Sequence, residues 1–105
     1  MELIRQVWHS TGSSGGLQAF HMGQIARDVA LFIAHSTLGT TQSASLQSAI
    51  NSTGPWFIEG STQLAAGNVS TVFKLAPQGP VGRWVRPYLH SASTGDYDFF
   101  LVGMD

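Results

Sequence analysis

The chain contains no cysteine and very little charge. Without cysteine it can form neither a disulfide nor a thiolate metal site, and thiol catalysis is excluded. Lysine, arginine, aspartate and glutamate together make up 10% of its 105 residues, against about 25% in a typical soluble domain. Serine, threonine, glutamine, asparagine and glycine therefore supply most of the polar surface. A neutral polar surface costs little to desolvate, which suits a molecule that packs against others.

The same composition argues against two classes of partner. Five basic and six acidic residues give a formal net charge of −1, so there is no basic patch for nucleic acid or for anionic lipid. No apolar run approaches the ~20 residues that a membrane-spanning helix needs. The first residues, MELIRQVWHS, do not have the pattern of a signal peptide. We expect neither a nucleic acid nor a membrane as partner.

The sequence shows no constellation typical of an enzyme. The only candidates for a metal ligand or a general base are four histidines, and none pairs with another at ligand spacing: His9, His21, His35 and His90. No GxSxG motif supports a serine nucleophile. Asp96 and Asp98 lie two residues apart, which is more typical of a solvated strand edge than of an acid–base pair. We predict no catalytic residue, no cofactor and no metal.

Short apolar segments bounded by glycine and proline turns predict an all-β chain, long enough for one domain. Residues 17–38 fit either an apolar helical stripe or a strand buried on both sides, and the glycines and β-branched residues in and after this segment favour a strand over about residues 27–37. A strand over 43–52 ends at a turn in Ser52–Pro55, and Glu59-Gly60 is predicted as a second turn. The spacing of about ten residues indicates an antiparallel jelly roll or β-sandwich of about eight short strands.

The last quarter of the chain predicts two strands, VGRWVRPYLHS and DYDFFLVG, joined as a hairpin by a turn at residues 93–95. Side chains of a strand alternate between two faces. Both faces of both strands carry large apolar groups, so something must cover the second face, either more of this chain or another molecule. Pro87 has no N–H to donate, which predicts an edge or a bulge at that point.

The N-terminal residues are predicted to differ from the rest. Residues 1–9 alternate weakly and fit a strand or an extended arm, and STGSSGG at 10–16 has the composition of a flexible linker. The predicted organisation is an arm and linker over residues 1–16, followed by a single β-sandwich domain over residues 17–105. The arm could be a docking device or a frayed terminus.

Three tryptophans, Trp8, Trp56 and Trp84, fit either a sugar-stacking platform or anchors in a core or a subunit interface. The alternating row of Trp84, Arg86 and Tyr88 favours interface anchors, because these three residue types dominate interface hot spots. Asp28 is the expected partner of Arg86. The full set of candidate interface residues is Trp8, Phe20, Trp56, Trp84, Arg86, Tyr88, Tyr97 and Phe99.

From residue 27 onward, the order of segments resembles the small jelly-roll capsid cement (decoration) proteins of tailed bacteriophages. The segments that carry the resemblance are RDVALFIAHST, LQSAINSTGPWFIEGSTQLA, NVSTVFKLAP, GRWVRPYLHSAS and TGDYDFFLVG, about three-quarters of the chain. No invariant motif accompanies this order, and residues 1–24 lie outside it.

The resemblance implies a β-sandwich that assembles as a homotrimer on the outer surface of a phage capsid. Its partner would be the major capsid protein, whose neighbouring subunits it would clamp without catalysing a reaction. The expected function is therefore that of a virion structural protein. The alternative is a carbohydrate-binding β-sandwich module of a phage tail or fibre.

Overall fold

A computed structural model describes residues 3–11, 14–23, 28–35, 42–64, 71–75, 81–90 and 96–104. These ranges contain nine β-strands: β1 Leu3–Ser10, β2 Gly15–Gly16, β3 Phe20–His21, β4 Asp28–His35, β5 Gln42–Ala49, β6 Phe57–Leu64, β7 Thr71–Leu75, β8 Trp84–Leu89 and β9 Tyr97–Met104. Within them no helix has the length and hydropathy needed to cross a membrane. The predicted turn at residues 93–95 lies outside the described ranges.

The strands form two antiparallel sheets. Sheet A has the order β1-β9-β4-β7, and sheet B has the order β2-β8-β5-β6 with β3 also paired to β8. Because β2 and β3 pair with successive parts of the same side of β8, they act as one interrupted strand. Counted in that way, the sheets hold four strands each in the order of an eight-stranded jelly roll. The predicted fold class is confirmed.

The core lies between the two sheets and follows the alternation of each strand. Along β4, buried and half-buried residues alternate from Val29 to His35. Along β9, Tyr97, Phe99 and Leu101 are buried and the residues between them are not. Sheet B contributes mainly smaller aliphatic side chains, including Ala44, Leu46, Val85 and Leu89. Burying each of the larger side chains stabilises the fold by about 1.5–3 kcal/mol.

Within the ambiguous segment at residues 17–38, the strand predicted over about residues 27–37 is confirmed for residues 28–35. Asp28–His35 forms β4, which pairs with β9 on one side and with β7 on the other. Only one face of β4 is buried, not both as predicted, but the half-buried outward residues Ala30, Phe32 and Ala34 are apolar as well. The sequence of β4 is therefore an almost continuous apolar run, which is why periodicity alone could not separate it from a helix.

For residues 3–10 the structure shows the strand, one of the two alternatives that the sequence left open. They form β1, which pairs with β9 along its whole length, from Leu3 opposite Met104 to Ser10 opposite Tyr97. The Ser/Gly-rich segment also contributes a short strand, because Gly15 and Gly16 pair with Leu89 and Tyr88.

The predicted final hairpin was wrong. β8 lies in sheet B and β9 lies in sheet A, so the two strands do not pair with each other. Their actual neighbours are distant in the sequence: β9 pairs with β1 and β4, and β8 pairs with β2, β3 and β5. Turn residues favour a chain reversal, but they do not decide whether the returning strand joins the same sheet or the opposite one.

Two local predictions need correction as well. Glu59 and Gly60 lie inside β6, where the register against β5 shifts, so that Leu46 pairs with Gly60 and Gln47 with Ile58. The predicted turn is therefore a β-bulge, a feature that accommodates glycine in a strand. The turn before it, at Ser52–Pro55, is confirmed, and there the Gly54 N–H donates to the carbonyl oxygen of Asn51 at 3.1 Å.

Pro87 lies in a strand that is neither at a free edge nor bulged against β5, contrary to the prediction. It pairs with Leu46 in regular register. Its carbonyl oxygen accepts a hydrogen bond from the Leu17 N–H at 3.0 Å, so its nitrogen faces the same neighbour. The strand on that side is interrupted between β2 and β3. Pro87, which has no N–H to donate, therefore lies where the backbone pairing with that strand is already broken.

Candidate functional site

The outer face of sheet B carries the row that the alternation of β8 predicted. Val85, Pro87 and Leu89 are buried against the core, whereas Trp84, Arg86 and Tyr88 are half-buried on the opposite face. Trp56, just before β6, lies on this face over Arg86. We call the set Trp56, Trp84, Arg86 and Tyr88 the β8 face.

Arg86 is held at the centre of the β8 face by one hydrogen bond and two rings. Its Nε donates to Oε1 of Gln47 at 2.8 Å. Its Cζ lies 4.2 Å from the centroid of the Trp56 ring and 5.6 Å from that of Tyr88. Each cation–π contact contributes about 0.5–1 kcal/mol at an exposed site. The guanidinium orientation is therefore fixed before any partner arrives.

The absence of a side chain at Gly16 leaves space for the guanidinium group of Arg86. A Cβ built at Gly16 would lie 2.6 Å from Arg86 Cζ, closer than any side-chain contact allows. The small strand β2 therefore serves two purposes: it pairs with β8, and it leaves space for a charged group over its backbone.

The predicted partner of Arg86 was wrong. Asp28 begins β4 in sheet A and is exposed there, whereas Arg86 lies on the outer face of sheet B. The neutral amide of Gln47, directly opposite Arg86 in the β5–β8 register, takes the place of the carboxylate. Among the described residues no carboxylate lies within ion-pair distance of Arg86. The β8 face thus presents a positive charge that the described part of the chain does not neutralise.

Two histidines extend the β8 face at its ends. The His21 and Trp84 rings lie 4.7 Å apart, and the Tyr88 and His90 rings 5.1 Å apart in an edge-on arrangement. His90 Nε2 lies 2.6 Å from the Ser45 hydroxyl oxygen. These contacts extend the β8 face into a continuous strip of rings and hydroxyl groups along sheet B.

The eight candidate interface residues divide into two groups. Trp56, Trp84, Arg86 and Tyr88 are on the β8 face, where a partner can reach them. The other four lie in the core or pack against it: Trp8, Tyr97 and Phe99 are buried, and Phe20 is half-buried. Period-two alternation separates the two faces of a strand, but it does not say which face is inside.

The four inward residues have structural roles. Tyr97 and Phe99 are fully buried, with their rings stacked at 6.2 Å. Trp8 is 7% exposed and meets Phe20 edge-on at 6.3 Å, and its Nε1 donates to the carbonyl oxygen of Gln18 at 2.7 Å. Trp8 therefore fastens β1 to the segment between β2 and β3. A platform of all three tryptophans is not assembled, since Trp8 is internal.

A polar pair that no sequence pattern indicated lies on the outer face of sheet A. His9 Nδ1 lies 2.8 Å from Asp98 Oδ1, and His9 Nε2 lies 4.0 Å from Asp96. The hydrogen bond with Asp98 is the main cause that raises the pKa of His9 above its ordinary value of 6.5. His9 and Asp98 are opposite each other in the β1–β9 register, and nothing local in the sequence indicates that pairing.

No family model matches the chain, and no curated protein matches it. Solved structures do resemble it in fold. A crystal structure of PirA matches with a TM-score of 0.55 and 14% identity over 92% of both chains. A crystal structure of the SPBc2 prophage-derived protein YomS gives 0.53 and 13% identity over 99% of this chain and 96% of that one.

A third similar structure comes from a study of Bacillus endospore appendages that form disulfide-linked pili. It matches with a TM-score of 0.52 and 15% identity, over 98% of this chain and 85% of the other. The present chain has no cysteine, so the disulfide linkage of those pili has no counterpart in it. At these identities the likeness shows the β-sandwich fold alone.

Proposed function

We propose that this chain is a structural protein of a bacteriophage particle: a capsid cement, or decoration, protein on the outer surface of the head. Its partner is the major capsid protein, and its role is to hold neighbouring capsid subunits together. The observation that carries the proposal is the β8 face, where two tryptophans, a tyrosine and an arginine stand together on an open sheet surface. These residue types dominate the energetics of protein interfaces.

The charge distribution supports a protein partner. Arg86 is already oriented by Gln47 and Trp56, so a carboxylate of the partner can bind it without ordering a long side chain first. The rest of the β8 face is neutral, so removing water from it costs little free energy. Since so few charges take part, we expect the docking to depend only weakly on salt.

The similar solved structures support the proposal at the level of fold. One is a prophage-derived protein, and another belongs to a surface appendage. The order of segments that resembles capsid cement proteins supports the finer assignment, and with it a homotrimer. A trimer that binds an array of capsid subunits gains avidity from repetition, so that each contact can remain modest.

Binding to phage heads tests this proposal. Heads purified from the phage whose genome encodes the chain would be sedimented with the protein, before and after expansion. We expect the wild type to co-sediment. Arg86→Ala should weaken binding about 30-fold, since a hot-spot truncation costs about 2 kcal/mol. Phe57→Ala is the matched control, because Phe57 is 60% exposed but lies outside the β8 face.

Two results would refute the capsid assignment. One is the absence of wild-type protein from the pellet of both kinds of head. The other is an equal loss of binding in Arg86→Ala and Phe57→Ala, which would mean that the β8 face has no special part in binding. Light scattering on the free protein tests the homotrimer separately, through its mass.

The alternative, a carbohydrate-binding module of a phage tail or fibre, is favoured by one observation. Trp56 and Trp84 both remain half-buried on the β8 face, so part of each indole could stack on a sugar ring. In that case Trp84→Ala would abolish the signal on a glycan array and leave the mass in solution unchanged. An array on which the wild type binds no glycan removes this alternative.

A further inference from the structure

Arg86 is the one arginine or lysine on the described strands of sheet B, and no counter-ion accompanies it there. The one carboxylate on those strands belongs to Glu59 in β6. It accepts a hydrogen bond from the Ser48 hydroxyl at 2.6 Å. Ser48 lies opposite the buried Val85, on the face of the sheet that packs on the core. The charge of Arg86, on the outer face, therefore remains available to a carboxylate of a partner.

The terminal nitrogens of Arg86 are the part of its guanidinium group that such a carboxylate can reach. Nε donates to Gln47 at 2.8 Å, and no described residue accepts from Nη1 or Nη2. Their N–H groups form one end of a planar fork, which binds both oxygens of a carboxylate through two parallel hydrogen bonds. The rings of Trp56 and Tyr88 already restrict the motion of the group, so little freedom is lost on binding.

Two aromatic side chains flank Arg86 along β8 at the repeat of an extended chain. Trp84 precedes it by two residues and Tyr88 follows it by two, and all three lie on the same face. Successive side chains on one face of a strand are about 6.6 Å apart. An extended segment of another protein that lies along β8 has the same repeat. Three of its side chains would therefore meet Trp84, Arg86 and Tyr88 in turn.

We propose that the β8 face binds an extended segment of the major capsid protein with a defined pattern: an aspartate or a glutamate that has a large apolar side chain two residues before it and another two residues after it. The carboxylate binds the terminal nitrogens of Arg86, and the apolar side chains pack on Trp84 and Tyr88. This inference rests on the proposed function, since it takes the capsid protein as the partner. The pattern is symmetric about the carboxylate, so it is the same whether the segment runs parallel or antiparallel to β8.

The contacts of the two indole rings favour a peptide over an acidic sugar as the source of the carboxylate. A sugar ring stacks on an open aromatic face. The guanidinium carbon of Arg86 already lies 4.2 Å from the centroid of the Trp56 ring, and the His21 ring lies 4.7 Å from that of Trp84. Each indole therefore has a neighbour of its own chain close to its ring. A leucine or similar side chain needs no open ring face, because it can pack against any apolar atoms within about 4 Å.

Synthetic peptides test the pattern without phage heads. The probe is a peptide of seven residues, acetylated and amidated, with a central aspartate, a leucine two positions away on each side, and serine or glycine elsewhere. We expect the indole N–H signals of Trp56 and Trp84 to shift in NMR spectra as the peptide is added, and that of the internal Trp8 to stay in place. Only three side chains make contact, so the dissociation constant is expected to be on the order of 1 mM.

Two matched peptides separate the features of the pattern. An asparagine in place of the aspartate should raise the dissociation constant at least about tenfold, because the charge-assisted pair with Arg86 is lost. Leucines moved to the positions next to the aspartate should also weaken binding, since they then point to the other side of the extended chain. An asparagine peptide that binds as tightly as the aspartate peptide overturns the proposal. So does a protein whose indole signals respond to trigalacturonate and to no peptide.

The variant Arg86→Gln tests the assigned contact from the side of the protein. It should bind the aspartate and asparagine peptides equally, since it has no charge to pair with the carboxylate. Arg83→Gln is the matched control, because Arg83 is exposed on the same segment, and it should keep the preference for aspartate. A preference that survives in Arg86→Gln contradicts the contact. If that variant does not fold, the peptide comparison on the wild type still decides.

Photocrosslinking on phage heads relates the pattern to the capsid. The photoreactive residue p-benzoylphenylalanine would replace Trp84 in one variant and Tyr88 in another, with the 60% exposed Phe57 as the control position. We expect the first two to cross-link to one segment of the major capsid protein, at sites about four residues apart with an aspartate or a glutamate between them. Cross-links to separate segments, or to one without a carboxylate, overturn this inference although the heads still bind the protein. A wild type that does not sediment with heads refutes the capsid assignment instead.

Discussion

The guanidinium carbon of Arg86 lies 4.2 Å from the ring centroid of Trp56, and the same side chain donates from Nε to Gln47 at 2.8 Å. Both contacts depend on the planar, forked shape of the guanidinium group. A lysine at this position would keep the charge and lose the fixed donor. The fixed orientation of the charged group on the β8 face therefore requires an arginine at this position.

Arg86→Lys is expected to lower the free energy of unfolding by about 1–2 kcal/mol, since a hydrogen bond from a charged donor and a stacked ring are both lost. Urea denaturation measures the change. Arg83→Lys is the matched control, because Arg83 is exposed on the same segment, and it should change stability by less than about 0.5 kcal/mol. If the two variants change the free energy of unfolding equally, the positive charge at position 86 is sufficient and the shape of the guanidinium group does not contribute to stability.

The inward position of Phe99 predicts a large difference between two phenylalanines. Phe99 is fully buried and Phe57 is 60% exposed. Phe99→Ala should cost about 3–5 kcal/mol, from lost burial and the cavity left behind, and Phe57→Ala should cost much less. If Phe99→Ala does not fold, Phe99→Leu should show a smaller loss of the same sign in urea. A Phe99 variant as stable as the wild type would contradict the core assignment.

The pair formed by His9 and Asp98 predicts a pH dependence. Since the folded pKa of His9 is raised above 6.5, the pair's contribution to stability is fully present below that value and is lost as the pH rises through the folded pKa. Asp98→Asn should bring the pKa of His9 back toward 6.5, as followed by NMR titration of the ring protons. Asp96→Asn should have a smaller effect, because Asp96 is the weakest of the named causes. If the pKa of His9 is unchanged in Asp98→Asn, the hydrogen bond with Asp98 is not the cause of the raised pKa.

Tyr97 carries a buried hydroxyl group for which the described residues offer no hydrogen-bond partner. A buried polar group without a partner costs about 1–3 kcal/mol. Removing it in Tyr97→Phe is therefore expected to leave the free energy of unfolding unchanged or to raise it. Thermal and urea unfolding would measure the change, with Tyr88→Phe, on the outer face, as the comparison. A clear loss of stability in Tyr97→Phe would mean that the hydroxyl is paired.

Local pattern was enough to predict which side chains of a strand share a face. The division of β8 into Trp84, Arg86 and Tyr88 on one side, and Val85, Pro87 and Leu89 on the other, follows from alternation alone, and the structure confirms it. The prediction could not extend to the partners of these residues. Gln47 is 39 residues from Arg86, and Asp98 is 89 residues from His9. Strand order brings those residues together, and strand order is not written in any local segment.

By itself, the sequence determined that this chain is a β-sandwich with few charges, because alternation, turn residues and composition act over a few neighbouring positions. The tertiary structure decided which face of each strand is inside. It placed Tyr97 and Phe99 in the core and Trp84 and Arg86 outside, and it made a paired strand of the first residues. These outcomes depend on how two sheets assemble from strands that are distant along the chain, where the burial of apolar surface is shared among all of them.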